Sequence, residues 1–146
     1  MARQRTFDIT HTFSAKREDV FSAWLHPELL SRWISPEGFS VTETNIEPNE
    51  GGTWEFVMVE DSSGKRYPNK SQLLELVPND LLVIRDSWKA MGVDAEDTIM
   101  TVKFEDVAEG TKVTLHGEPM PDNEFTDGAP EGWSQSFRNL EKLLAS

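Results

Sequence analysis

Two side chains of this sequence could carry acid–base chemistry, and the first of them is His11. It alternates in phase with Phe7, Ile9 and Phe13, so in a strand it would face the same apolar side as these residues. An imidazole there can donate to a ligand or carry a proton near neutral pH. A core or pocket-rim histidine bonded to a neighbour also explains the position, because proton transfer needs an oriented partner that the sequence does not identify.

The second candidate is Asp86, which follows Leu82 and Ile84 in phase and precedes Trp88 at the same spacing. An acid on the apolar side of a strand, with no bulge to turn it away, would be buried and its pKa would be raised. It could then bind a polar group of a ligand or act as a base. Acids on strands usually face water, and that alternative stays open for Asp86.

The composition argues against several other classes of function. His11, His26 and His116 lack the spacing of a zinc site, and the absence of Cys removes thiolate ligands and disulfides. No phosphate-binding loop or dinucleotide fingerprint occurs, so we expect no metal and no cofactor. A net charge of −12, from 14 Lys and Arg against 26 Asp and Glu, disfavours nucleic acids and anionic membranes as partners. Without a long apolar run, the sequence predicts a soluble, cytoplasmic protein.

Large apolar side chains recur at strand and helix spacing, and some of them could line a void instead of filling a core. Together with His11, the candidate ligand-binding positions are Trp54, Phe56, Met58, Trp88, Met100, Trp133 and Phe137. A packed core is the alternative explanation for each of these positions. The sequence alone does not separate the two.

The elements that would position these residues begin with a strand over residues 6–13. Ser14 can cap a helix that ends near His26, and Pro27 suits the first turn of a second short helix. Turn residues then separate short β segments at residues 39–46, 53–60, 66–77, 81–88, 97–106 and 111–116. Pro68 is expected to break the segment 66–77 near its start. Residues 117–131 contain three prolines and predict no continuous element, and an amphipathic helix follows from Gly132.

This order predicts a single α+β domain over residues 1–146. We expect a curved antiparallel sheet of about six to seven strands, wrapped around a long C-terminal helix, with two short helices after strand one. A strongly curved sheet meets a helix closely along only part of its length, so an apolar space can remain between them. A small hydrophobic molecule is the expected occupant of that space.

An ordered series of short motifs carries a family resemblance. The series comprises Phe13-Ser14-Ala15, Val20-Phe21, Ala23-Trp24, Pro27-Glu28, Arg32-Trp33, Gly51-Gly52, Leu74-Glu75, Gly110-Thr111 and Gly132-Trp133. Over nearly the whole chain it resembles the homologues of the activator of the ninety-kilodalton heat-shock protein's ATPase, in the START-like helix-grip superfamily. The resemblance implies the helix-grip fold.

The leading functional prediction is a protein that binds a small hydrophobic ligand without catalysing a reaction on it. Two alternatives follow from the resemblance. One is a chaperone-linked interaction module of the stress response, with a chaperone as partner. The other is an enzyme similar to the polyketide cyclases and dehydratases of the superfamily, with His11 or Asp86 as the acid–base residue.

Overall fold

The computed structural model describes residues 5–120 and 124–145 as one seven-stranded antiparallel sheet and three helices. In chain order the elements are β1 Arg5–Phe13, α1 Arg17–Leu25, α2 Pro27–Trp33, β2 Phe39–Ile46, β3 Thr53–Glu60, β4 Arg66–Val77, β5 Leu81–Asp86, a 3-10 turn Lys89–Met91, β6 Thr98–Val107, β7 Gly110–Met120 and α3 Glu124–Ala145. The strand order is β1-β7-β6-β5-β4-β3-β2. The predicted architecture is confirmed, including the two short helices after the first strand.

Breaks in the strand register help the sheet to curve around α3. The pairing shifts between Thr42 and Asn45 in β2, and between Leu73 and Glu75 in β4. Such bulges increase the local bend and twist of a sheet. No shift interrupts the pairing of β5 with β6, so alternate residues of β5 stay in phase and its inward positions, including Asp86, are buried.

The first helix begins later than the sequence predicts. Its N-cap is Lys16, which makes no side-chain cap, so the prediction that Ser14 caps the helix is wrong. Instead, the backbone N–H of Ser14 donates to a carboxylate oxygen of Glu141 on α3 at 3.0 Å. The second helix does begin at Pro27, because the fixed φ of proline suits the first turn and no N–H is lost there.

Two strands are longer than predicted. The strand β4 runs unbroken through Pro68, which lies opposite Val57 of β3. Its pairing with β5 begins only at Ser71, so Pro68 occupies an edge where the missing N–H is tolerated. The strand β7 continues past Gly117, which lies between Phe7 of β1 and Met100 of β6. Pairing on both sides holds this stretch in the sheet despite its proline.

The C-terminal helix α3 starts at Glu124 and contains Pro130, so the predicted start at Gly132 is wrong. Glycine and proline at positions 128 and 130 have the lowest helix propensities, so the sequence did not predict the first turns of α3. Three hydrogen bonds tie α3 to the segment after α2, among them Ser136 Oγ to the Ile34 carbonyl at 2.7 Å. Within the described residues, no helix combines the length and apolar character needed to cross a bilayer.

Candidate functional site

One end of the space between α3 and the sheet is filled by aromatic rings. We call it the packed end and define it by Phe13, Trp24, Trp33, Phe137 and Leu140, all fully buried. Phe13 and Phe137 meet edge to face with ring centroids 5.6 Å apart, and Trp24 and Trp33 do so at 4.9 Å. Such arrangements match interior packing and leave little free volume.

The other end holds a cavity of about 490 Å³, within the range of small-molecule sites. The strands supply most of its wall, and α3 contributes residues 132, 133 and 136. Six of the eight positions singled out from the sequence line it: Trp54, Phe56, Met58, Trp88, Met100 and Trp133. The sequence missed Phe7, Ile34, Pro36 and Val93, which add apolar surface.

The remaining two positions, His11 and Phe137, are not part of the cavity wall. Phe137 belongs to the packed end, and the ring of His11 lies against Phe13 with centroids 4.4 Å apart. His11 Nε2 lies 3.2 Å from Glu141 Oε1 on α3. Both residues face inward as their spacing predicts, but they lie beside the packed end and not beside the cavity. Periodicity identifies the face of an element and gives no position along it.

Asp86 is the buried ionisable group of the cavity wall, with 8% of its surface exposed. Its Oδ1 accepts a hydrogen bond from Ser71 Oγ at 2.5 Å, and Ser71 Oγ accepts one from Asn69 Nδ2 at 3.0 Å. Burial raises the pKa of Asp86 from 3.8 to about 6; the Ser71 hydrogen bond lowers it and the charge of Asp97 raises it. The carboxyl group can therefore change protonation near neutral pH, within an apolar cavity.

The family model described as "Activator of Hsp90 ATPase homolog 1-like protein" matches residues 14–145. The chain belongs to this family. A search of curated proteins found no match. The family assignment and the observed sheet and helices agree with the helix-grip fold that the sequence motifs imply.

Solved structures of similar proteins share the fold of this family member over nearly its whole length. Protein CV1439 from Chromobacterium violaceum superposes with a TM-score of 0.86 at 25% identity, covering 97% of this chain and 99% of its own. Protein NE0264 from Nitrosomonas europaea gives 0.84 at 21%, covering 96% and 94%. SPO3351 from Silicibacter pomeroyi, described as an AHSA1 protein, gives 0.79 at 22%, covering 97% and 98%.

In this family member, the polar residues of β4 are the part of the site that sequence reasoning missed. Tyr67 and Asn69 line the cavity and alternate with Ser71 along β4. Their signal was the alternation itself, which the expected break at Pro68 concealed. A strand continued through that proline would have directed all three side chains to the side that Trp54 faces on β3.

Two cations, Lys65 and Arg66, complete the lining at the start of β4. Both are exposed. Arg66 forms an ion pair with Glu43, and the Lys65 ammonium lies 5.2 Å from the centre of the Tyr67 ring. Along a strand, Arg66 and Ser71 are separated by about 16 Å. These charges therefore lie well away from the part of β4 that contacts Asp86.

The other titratable groups singled out from the sequence lie outside the cavity. His116 Nδ1 is 2.6 Å from Asp8, and its Nε2 is 3.2 Å from Glu118. Its hydrogen bonds to Asp8 and then to Glu118 raise the pKa of His116. His26 is exposed at the junction of the two short helices. In residues 5–120 and 124–145, no three His, Asp or Glu side chains converge to hold a metal ion.

Proposed function

We propose that this protein binds a small hydrophobic molecule in the cavity between α3 and the sheet. The observation that carries the proposal is the cavity of about 490 Å³, whose wall combines aromatic and methionine side chains with a few polar groups, among them the buried Asp86. Apolar walls with a few polar groups are typical of small-molecule sites. Methionine at positions 58 and 100 gives the wall side chains that adapt to different shapes.

Burial of ligand surface would be the main source of affinity. Enclosing about 300 Å² of apolar ligand surface at roughly 25 cal/mol per Å² contributes on the order of 7 kcal/mol before the cost of association. That is sufficient for useful binding only when the site is preformed. The hydrogen bonds from α3 to the segment after α2, at Ser136 and Asn139, support a preformed wall on the helix side.

The cyclase- or dehydratase-like alternative has weaker support than ligand binding. Of the two acid–base candidates, Asp86 lies on the cavity wall and His11 is paired with Glu141 outside it. A reaction in the cavity would therefore depend on Asp86 without the second titratable group that the sequence suggested. Proton transfer needs an acid or base within hydrogen-bond reach of the reacting atoms.

A chaperone-linked interaction is a second candidate, favoured by the family description and by the net charge of −12. An acidic surface would recognise a basic patch, and such association slows as salt increases. Titration of purified ninety-kilodalton heat-shock protein into this protein at low and high ionic strength tests this candidate. Absence of binding at low salt would reject it.

The test of ligand binding compares two substitutions on one strand. Met58 faces the cavity, and Val57 beside it faces the opposite side of β3. Met58→Trp should reduce the free volume of the cavity, whereas Val57→Trp adds the same side chain outside it. Ligand-observed NMR with indole and phenylbutanol, both neutral, should detect binding to the wild type and to Val57→Trp.

Met58→Trp should lose that binding while retaining the circular dichroism spectrum of the fold. Equal binding by both variants would place the probes outside the cavity and reject the proposed site. No binding of either probe to the folded wild-type protein would reject the proposal for ligands of this size.

A further inference from the structure

The carboxyl group of Asp86 identifies the chemical class of the ligand. Building on the binding function proposed above, we infer that the ligand is an organic cation, an apolar body with one protonated amine that donates to Asp86. The inference rests on three observations: an available carboxylate oxygen, the absence of a cation beside it among the described residues, and indole rings in the same cavity wall.

The first observation is the incomplete hydrogen bonding of a buried acid. Ser71 donates to Oδ1, and no residue in the described ranges donates to Oδ2. In the sheet register Asp86 lies between Ser71 of β4 and Thr98 of β6. The Thr98 hydroxyl cannot supply the missing donor, because it donates to the Pro119 carbonyl at 2.6 Å. Since the fully buried side-chain atom without a partner in the described residues is Trp24 Nε1, Oδ2 keeps some exposed surface. A donor carried by a ligand in the cavity could reach Oδ2, whereas a ligand that covered this acceptor without offering a donor would bind at a cost.

The second observation is that no residue in the described part of the chain gives Asp86 a positive partner. The groups facing it from β4, Ser71 and Asn69, are neutral, and α3 contributes the neutral Ser136 to the same cavity. The charge that shifts the pKa of Asp86 is that of Asp97, which is negative and lies 3.7 Å from the Arg85 guanidinium. Among the described residues no salt bridge reaches Asp86, so an ionised carboxylate there would attract a cationic ligand.

The third observation is that three indole rings share the cavity wall with this carboxyl. Trp54 lies opposite Ser71 on the neighbouring strand, Trp88 follows Asp86 by two positions, and Trp133 faces the sheet from α3. The faces of indole rings attract ammonium groups, most strongly where water is excluded. The net charge of −12 also raises the local concentration of cations around the protein. A neutral alcohol would gain neither of these two contributions.

The pH dependence of binding follows from the protonation of Asp86. Its pKa is raised by burial to about 6, so the fraction ionised increases as the pH rises from 5 to 7. An aliphatic amine stays protonated in that window. Amine affinity should therefore increase about tenfold between pH 5 and pH 7 and level off above it. A neutral alcohol should bind with little pH dependence, and a carboxylic acid should bind more weakly as Asp86 ionises.

The experiment uses three probes with one carbon skeleton: phenylbutylamine, phenylbutanol and phenylbutanoate. Calorimetric titrations at about pH 5 and about pH 7 compare wild type, Asp86→Asn and Asp97→Asn. Both substitutions remove one negative charge, but Asp97 is a surface residue paired with Arg85. Asp86→Asn should weaken amine binding at least about tenfold at neutral pH and abolish its pH dependence, whereas Asp97→Asn should change it less than about threefold.

The outcomes separate this inference from the binding function. Binding of phenylbutanol equal to or tighter than that of the amine, with no effect of Asp86→Asn, would overturn the cationic ligand and leave the cavity proposal standing. Tightest binding of phenylbutanoate would overturn it in favour of an anion held by Lys65 or Arg66. Equal losses in the two variants would assign amine binding to the surface charge and also overturn it. The pH dependence of the wild-type protein tests the inference without any substitution.

Discussion

The two ends of the space between α3 and the sheet differ in packing: one is filled by side chains and the other contains a cavity. At the packed end, Phe137 contacts Phe13, Trp24 and Trp33, and the indole N–H of Trp33 donates to a backbone carbonyl. At the cavity end, the rings have an unfilled space on one side, and a buried carboxyl replaces an apolar side chain. One helix thus makes contacts of two kinds along its length.

This difference indicates that the two ends contribute unequally to stability. Dense packing at one end favours folding, whereas the empty volume and the poorly solvated acid at the other end both cost stability. Sites that bind ligands are commonly less stable than the scaffold that supports them. Substitutions at the two ends should therefore differ in sign or size.

The largest expected effect is at the packed end. Phe137→Ala should lower the free energy of unfolding by about 3 to 5 kcal/mol, because it removes a fully buried ring from among five neighbouring rings. Met58→Ala should cost about 1 kcal/mol or less, since Met58 already borders empty space. Urea unfolding followed by circular dichroism measures both. Similar losses in the two variants would contradict the comparison.

The next effect has the opposite sign. Burial raises the pKa of Asp86, so the folded state holds its proton more tightly than the unfolded state. The associated stability is present below about pH 4 and is lost as the pH rises through about 6. Asp86→Asn should therefore stabilise the protein by about 2 to 3 kcal/mol at neutral pH. The gain should disappear near pH 4, where Asp86 is protonated in both states.

Thermal unfolding across this pH range measures the effect, and Asp97→Asn is the control on the surface. It should change stability by no more than about 0.5 kcal/mol. A loss of stability in Asp86→Asn at neutral pH would mean that the carboxylate is better solvated than its position beside the cavity implies.

The sequence predicted the faces of the elements better than their ends. Alternation placed Trp54, Phe56 and Met58 on one side of β3, and the structure has them together in the cavity wall. It also placed Asp86 inward, which its burial confirms. The same alternation made His11 a candidate for the cavity. Its partner Glu141 lies 130 positions away along the chain, and no local pattern in the sequence indicates this pairing.

Glycine and proline caused three of the errors in element length. Their local preferences predicted breaks at Pro68, after His116 and before Gly132, but strand pairing and helix packing carry the elements through all three. The strand predicted over residues 81–88 was wrong in the other direction, because β5 ends at Asp86 and Trp88 begins the 3-10 turn. Tertiary contacts override such preferences where the backbone has partners on both sides, or where a proline lies at the edge of the sheet and its missing N–H has no strand to pair with. The cavity depends on how far α3 extends and where it is anchored, and neither property is encoded locally.

A smaller effect is expected at Gly132, which lies on α3 at the cavity. A Cβ added there would meet no atom within 4 Å, so Gly132→Ala should stabilise the helix by about 0.5 to 1 kcal/mol. Gly132→Leu should keep this gain and weaken phenylbutanol binding by reducing the free volume. Chemical unfolding and ligand-observed NMR measure the two properties separately. Destabilisation by Gly132→Ala would indicate that this end is more tightly packed than the cavity implies.

The smallest effect is expected on the outer face of the sheet, away from both ends. Hydrogen bonds to Asp8 and Glu118 raise the pKa of His116, so its stabilising contribution is present below about pH 6.5 and is lost as the pH rises through the raised value. His116→Gln should lower stability slightly in mildly acidic solution and leave it unchanged in alkaline solution. The effect stays small because these exposed groups are screened by water.

Thermal unfolding at the two pH values measures this effect, with His26→Gln as the control because the exposed His26 makes no side-chain cap. His26→Gln should leave stability within about 0.5 kcal/mol of the wild type. If His116→Gln destabilised the protein as much as Phe137→Ala does, surface ion pairs would contribute as much as the packed end. The stability that offsets the cost of the cavity would then come from surface ion pairs as well as from the packed end. The proposed division of roles between the two ends would have to be abandoned.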